Sequence, residues 1–181
     1  MKIKLPLTDE IVKQLRPGMK VSLYGEIYVA RDSAHKRIVE ALDKGEIPPL
    51  EVKGATIYYM GPSPAKPGAV IGACGPTTSG RMDQYTPKLL ELGLKGMIGK
   101  GLRSKQVKDS IVKNKAVYFS AIGGAGSFYA DKVKKAEVVA YEDLGAEALR
   151  KLEVEDFPVV VVNDMYGGDL YEDGVRKYSK D

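Results

Sequence analysis

The sequence predicts an α/β fold with a mixed sheet. Short runs of Val, Ile, Leu and Tyr alternate with stretches of helical apolar spacing, which is the α/β pattern. The early strand candidates read as antiparallel neighbours, which argues against a purely doubly wound sheet. The chain has 181 residues, 44% of them hydrophobic and 29% charged, enough for one domain with a buried core.

Ile3–Leu5 is a short strand candidate. Thr8–Leu15 reads as a helix capped by Thr8, with Asp9 and Glu10 where the helix dipole favours acids. Lys20–Ala30 is β-rich and reads as one or two strands bent at Gly25. In the next helix Ala34, Ile38, Ala41 and Leu42 share one face; Asp32 or Ser33 can cap it and Gly45 can end it. Ala55–Met60 is a strand, followed by a Pro/Gly loop and a short strand at Ala69–Ile71. Met82–Leu92 reads as a helix interrupted near Pro87. Strands follow at Gly96–Ile98, Ala116–Ile122, Val138–Tyr141 and Pro158–Val162. Helices are expected at Ser104–Lys113, with Val107 and Ile111 aligned, and at Ser127–Lys135. From about Gly167 the chain is polar and reads as a mobile tail.

Composition removes several function classes. The net charge is +4 with the signs well mixed, not the basic stripe that nucleic acid requires. No apolar run reaches membrane-helix length, and the N-terminus lacks an apolar signal core, so the expectation is a cytoplasmic protein with no membrane partner. Cys74 and His35 are the sole residues of their types. An intrachain disulfide is impossible, and a zinc or iron–sulfur site would need ligands from elsewhere, so no metal ligand is assigned here. Cys74 reads as a small buried apolar residue.

The string CGPTTSGRMD, residues 74 to 83, has the outline of a phosphate loop but departs from it where the chemistry is decided. Arg81 and Met82 replace the Lys and hydroxyl residue, Met82 cannot ligate magnesium, and Pro76 removes a backbone N–H. Two readings of the loop remain. It can be an anion pocket at a helix N-terminus, with Thr77, Thr78 and Ser79 as hydroxyl donors and Arg81 as a planar fork for a carboxylate. It can equally be an ordinary cap with Arg81 solvated. A second cluster, Arg31-Asp32-Ser33-Ala34-His35-Lys36-Arg37, crowds cations at another helix start; His35 reads as a half-buried ring, and Lys36 and Arg37 as solvated. Gly99-Lys100-Gly101 follows a third strand. Three cation-bearing strand ends would make a dicarboxylate clamp if the fold gathers them.

ARDSAHKR, GPTTSGRMD and GKG, in that order, resemble the β-subunit, or C-terminal half, of the iron–sulfur class I fumarase and tartrate dehydratase family. The longer strings IYYMGPSPAKPGAVIGACGPTTSGRMD and EVEDFPVVVVND extend the resemblance over nearly the whole chain. It implies a swivelling β/β/α domain, a compact mixed sheet or barrel flanked by helices, forming a single catalytic-half domain over residues 1–181. It implies a hydro-lyase that hydrates fumarate to L-malate reversibly, with the [4Fe–4S] cluster bound by a partner alpha subunit in an α₂β₂ assembly. Thr77 matches the residue that moves the carbon-bound proton. Arg31 and Arg81 match arginines that grip the substrate carboxylates, Lys100 a lysine beside the same substrate, and Thr78 adds a hydroxyl. Asp32 and His35 fall in the matching motif as residues orienting Arg31 or Thr77, with Asp32 the candidate to take the Thr77 proton. L-Tartrate is the alternative substrate within the family. A non-catalytic dicarboxylate-binding module is the alternative outside it.

Overall fold

A computed structural model describes residues 1–179. Its strands β1 (Lys2–Lys4), β2 (Lys20–Val29), β3 (Thr56–Tyr58), β4 (Gly96–Gly99) and β5 (Val117–Ser120) run parallel, each bonded to the next. The last two strands, β6 (Val133–Ala140) and β7 (Leu149–Asn163), run antiparallel to one another. β7 also pairs antiparallel with β5 near its end and with β2 along its length. These pairings close β2, β3, β4, β5 and β7 into a five-stranded barrel, with β1 and β6 as additional strands.

Period-two alternation divides the strand residues between two cores. Leu23, Ile27, Tyr58, Ile98, Phe119, Leu152 and Phe157 fill the barrel. Ile57, Met97 and Tyr118, their neighbours in sequence, face outward to a second core. Helices α2 (Asp32–Asp43), α3 (Thr86–Glu91) and α4 (Lys105–Lys113) cover that outer face with Ala34, Ile38, Leu89, Leu90, Val107 and Ile111. The short α1 (Asp9–Val12) and α5 (Gly126–Ala130) add Val12 and Tyr129 to the barrel core. No helix among the described residues is long and apolar enough to cross a membrane.

Several expectations need correction. The early strands are parallel; the antiparallel partner of β2 is β7, near the other end of the chain. Residues 69–71 form no strand: Ala69 N–H bonds back to the Lys66 carbonyl in a turn, and Val70 is exposed. Pro87 does not interrupt a helix but sits in the first turn of α3, where its missing N–H costs nothing. The helix expected over 127–135 stops at Ala130, and Val133 already belongs to β6. β7 begins nine residues before Pro158, which pairs opposite Ser22 just past a bend at Asp156, a residue with φ of 49°. The polar stretch read as a tail contains helix α6 (Leu170–Tyr178). Asp169 caps it by accepting from the N–H groups of Tyr171 and Glu172 and pairs with Lys108 on α4. Lys180 and Asp181, the end of that stretch, lie outside the described residues.

Phe157 meets Tyr58 edge-on at 5.4 Å and Tyr129 at 4.7 Å between ring centroids, inside the barrel. Phe157→Ala is expected to lower unfolding free energy by about 3–5 kcal/mol, read from urea denaturation midpoints.

Candidate active site

The parallel strands deliver their carboxyl ends to one rim, the usual place for a ligand site on such a sheet. Arg31 follows β2, Tyr59 follows β3, Lys100 follows β4 and Gly123 lies just past β5. The loop of residues 74–79 is inserted between the ends of β3 and β4 like a short extra strand. Thr77 N–H donates to the Tyr59 carbonyl at 2.7 Å, Lys100 N–H to the Thr77 carbonyl at 3.3 Å, and Ser79 N–H to the Lys100 carbonyl at 2.8 Å. Backbone bonding to both neighbours therefore fixes Thr77 and Thr78 on the rim. Gly99 permits the insertion: a Cβ there would lie 2.0 Å from Ser79 Oγ. Its service is to the packing of the loop. The Ser79 hydroxyl lies 2.9 Å from the buried Tyr118 hydroxyl, which donates in turn to the Gly101 carbonyl.

Beneath the loop lies a buried ion pair that the sequence did not announce. The Arg103 side chain has no exposed surface, and its Nε donates to Asp83 Oδ1 at 2.7 Å. Nη2 donates to Thr86 Oγ1 at 2.9 Å, and the guanidinium lies over the Tyr59 and Tyr118 rings. Asp83 Oδ2 accepts from Ser104 N–H at 2.6 Å. One pair thus ties the segment after the Thr77 loop to the segment after Lys100. The intervening Ser79–Met82 forms a four-residue 3-10 turn with no side-chain cap. The α-helix N-terminus expected as the anion site is absent there.

Across the rim Asp32 joins the two candidate gripping arginines. Its Oδ1 accepts from Arg81 Nε at 2.8 Å, and its Oδ2 lies 3.8 Å from Arg31 Nε. Both guanidinium groups are approached on their inner nitrogen. No protein acceptor takes a hydrogen bond from their Nη groups among the described residues. Gly61 makes room for Arg31, since a Cβ there would lie 3.0 Å from Arg31 Nη1. Lys100 is exposed and extends past Gly123, where a Cβ would lie 3.9 Å from its Nζ. Arg31, Asp32, Thr77, Thr78, Arg81 and Lys100 therefore share the strand-end rim. No hydrogen bond joins Asp32 to the Thr77 hydroxyl among the described residues, and one of its oxygens is taken by Arg81.

His35 is deeper than expected. It is fully buried, edge-on to Tyr59 at 5.3 Å. Its Nδ1 lies 2.8 Å from the Arg31 carbonyl. A carbonyl can only accept, so Nδ1 carries the proton and the ring holds the start of α2. Burial drives its pKa down to about 4, against the pull of the Arg31 carbonyl, with Arg103 lowering it further and Asp32 opposing. Arg37, read as solvated, makes a two-pronged ion pair with Asp143, while Lys36 is exposed. Glu147 was also missed: its Oε2 accepts from Ser33 Oγ at 2.7 Å and its Oε1 lies 3.5 Å from Arg31 Nε. Nothing local in sequence marks Arg103 or Glu147, because the partner of each charge is distant.

A cluster site does not fit these residues. No three His, Cys, Asp or Glu side chains converge on a metal position among the described residues. Cys74, the sole cysteine, is buried and its thiol donates to the Gly72 carbonyl at 3.2 Å; one cysteine cannot hold a cluster.

The family model describing the fumarase C-terminus matches residues 1–174, and the chain belongs to that family. Among its relatives, fumarate hydratase 2 of Leishmania major is 41% identical over 93% of this chain and 30% of its own length. The aerobic class I fumarate hydratase of Escherichia coli is 41% identical over 90% of this chain and 31% of its own length. A Methanocaldococcus jannaschii protein provisionally named L(+)-tartrate dehydratase subunit beta is 36% identical over 94% of this chain and 91% of its own length. The chain thus spans about a third of the fumarate hydratases and nearly all of the subunit-type relative.

Two outcomes test the site's foundations. Arg103→Met leaves Asp83 half-sequestered without its cation and is expected to cost about 3–5 kcal/mol in urea unfolding. His35 binds its proton less readily folded than unfolded, so its contribution to stability is complete above pH 6.5 and declines as pH falls toward 4. Between pH 7 and 5 the loss is about 2 kcal/mol. His35→Gln should lose less stability over that interval than the parent chain.

Proposed function

We propose that this chain is the substrate-gripping β-subunit portion of a class I fumarate hydratase, interconverting fumarate and L-malate. The observation that carries the reading is the Arg31–Asp32–Arg81 bridge. One carboxylate lies against the inner nitrogens of two guanidinium groups and leaves both outer forks open on the rim that holds Thr77 and Lys100. Two such forks and an ammonium match a small dicarboxylate.

In this reading Arg31 and Arg81 hold the two carboxylates, with Lys100 and Thr78 completing the grip. The same cations stabilise charge that develops on a carboxylate when the neighbouring carbon loses its proton. Thr77, locked by its backbone and with no hydroxyl partner among the described residues, relays that proton: its oxygen takes the carbon-bound proton as its own hydroxyl proton passes to water or a base, and the transfer runs in reverse on hydration. Asp32 and His35 act by placement, Asp32 through the arginines and His35 through the start of α2. The [4Fe–4S] cluster of this reading belongs to an alpha subunit, in an α₂β₂ complex of the cytoplasm. The 91% coverage of a subunit-type relative supports the two-chain form. The same relative supports L-tartrate as second substrate, while the higher identity to fumarate hydratases favours fumarate.

Fumarate hydration, followed by loss of ultraviolet absorbance, is expected only when the chain is mixed anaerobically with a cluster-loaded alpha subunit. Thr77→Ala should lower kcat at least about a hundredfold, on the scale of losing a proton-transfer group. A cluster-loaded complex that turns over L-tartrate and not fumarate would reassign the substrate. Undiminished turnover by Thr77→Ala would remove Thr77 from the chemistry.

A further inference from the structure

Arg31 Nε, Asp32 Oδ2 and Glu147 Oε1 are all buried, and none has a hydrogen-bond partner among the described residues. They surround one another: Nε lies 3.5 Å from Glu147 Oε1 and 3.8 Å from Asp32 Oδ2. Buried polar atoms left unpaired are costly, and charged ones more so. A rotation that moves Nε by about half an ångström would bring Glu147 Oε1 within ordinary N–H···O range. The carboxylate itself is held in place. Its other oxygen accepts from Ser33 Oγ at 2.7 Å. Its segment is tied to α2 by the Arg37–Asp143 pair, and Arg150 donates to the Gly145 and Ala146 carbonyls. The Arg31 guanidinium, by contrast, is free at its Nη groups.

We infer that Glu147 is a positioning residue for substrate binding: it receives the inner N–H of Arg31 when a dicarboxylate engages the outer fork, and so fixes the plane of that fork. The inference rests on the functional reading above. Asp32 is the less well placed acceptor: its free Oδ2 lies farther from Arg31 Nε, at 3.8 Å, and its Oδ1 holds the carboxylate to Arg81. With Glu147 as a second carboxylate, each arginine has a partner of its own. A bidentate pair loses most of its strength when the two planes are misaligned, so the fork's plane bears on affinity for the substrate carboxylate.

The test has two arms. In the full chain without partner, at saturating fumarate, the Arg31 Nε–H resonance should shift in Glu147→Gln while that of Arg81 stays in place. In the cluster-loaded complex, Glu147→Gln should raise KM for fumarate about tenfold with kcat changed by less than about threefold, the signature of lost ground-state and transition-state binding alike. Arg31→Lys combined with Glu147→Gln should be no worse than Arg31→Lys alone, because the two act as one unit. Ser33→Ala, which releases the carboxylate from its anchor, should give a smaller KM increase of the same kind. An unmoved Arg31 resonance overturns the inference whatever the activity. Unchanged KM in both Glu147→Gln and Ser33→Ala, with Thr77→Ala still inactive, overturns it and leaves the proposed function standing. Additive losses in the double variant overturn it too. A cluster-loaded parent complex with no fumarate turnover overturns the functional reading first, and this inference with it.

Discussion

The rim depends on a charge that never meets water. Arg103 lies under the loop with no exposed side-chain surface, bonded to Asp83 and Thr86 and flanked by two tyrosine rings. Such a pair adds little net stability over an apolar substitute, because both ions must be desolvated. Its value here is geometric. Asp83 closes the segment that begins at Thr77, and Arg103 opens the segment after Lys100, so the pair fixes the spacing of two groups on the same rim. An apolar contact could fill the same volume without fixing that register.

The site then divides its arginines by task. Arg103 has its whole guanidinium consumed by the fold. Arg31 and Arg81 meet carboxylates at their inner nitrogens alone, so much of their charge is balanced locally while their donors still point outward. A rim with three unbalanced cations would repel itself. Here Asp32 and Glu147 offset two of them, and Lys100 is the cation left at the edge. The Nη donors of both arginines are thereby left unpaired among the described residues, beside carboxylates that offset their charge.

Much of this was legible in the sequence, and the parts that were not have a common cause. GPTTSGRMD, RDSAHKR and GKG were visible because glycines, hydroxyls and cations collect at strand ends. Their convergence on one rim follows from the parallel order β2–β3–β4–β5. Arg103, Glu147 and Asp143 were not visible, since each is defined by a partner far off in sequence, and a charged side chain looks the same whether it is solvated or sequestered. The first half of β7 was hidden by Pro158. A proline normally starts or excludes a strand, but the bend at Asp156 lets this one sit within a ladder. The α6 helix was concealed by its polarity: only Leu170 and Tyr171 at its start pack, partly buried, against the outer core, and the Asp169 cap and the Lys108 pair secure the same end.

Closure of the barrel by β7 also sets an order of events in folding. Lys20 on β2 is matched with Val160 on β7, so two edges of the sheet face each other across most of the chain's length. Long-range pairing of this kind is entropically late and slow. During synthesis β2 emerges early but keeps an open edge until the last strand is available, while β3, β4 and β5 can assemble beside it with their covering helices. The rim residues that follow those strands are thus in the chain well before the barrel that holds them can shut, and closing the barrel also removes the exposed strand edge.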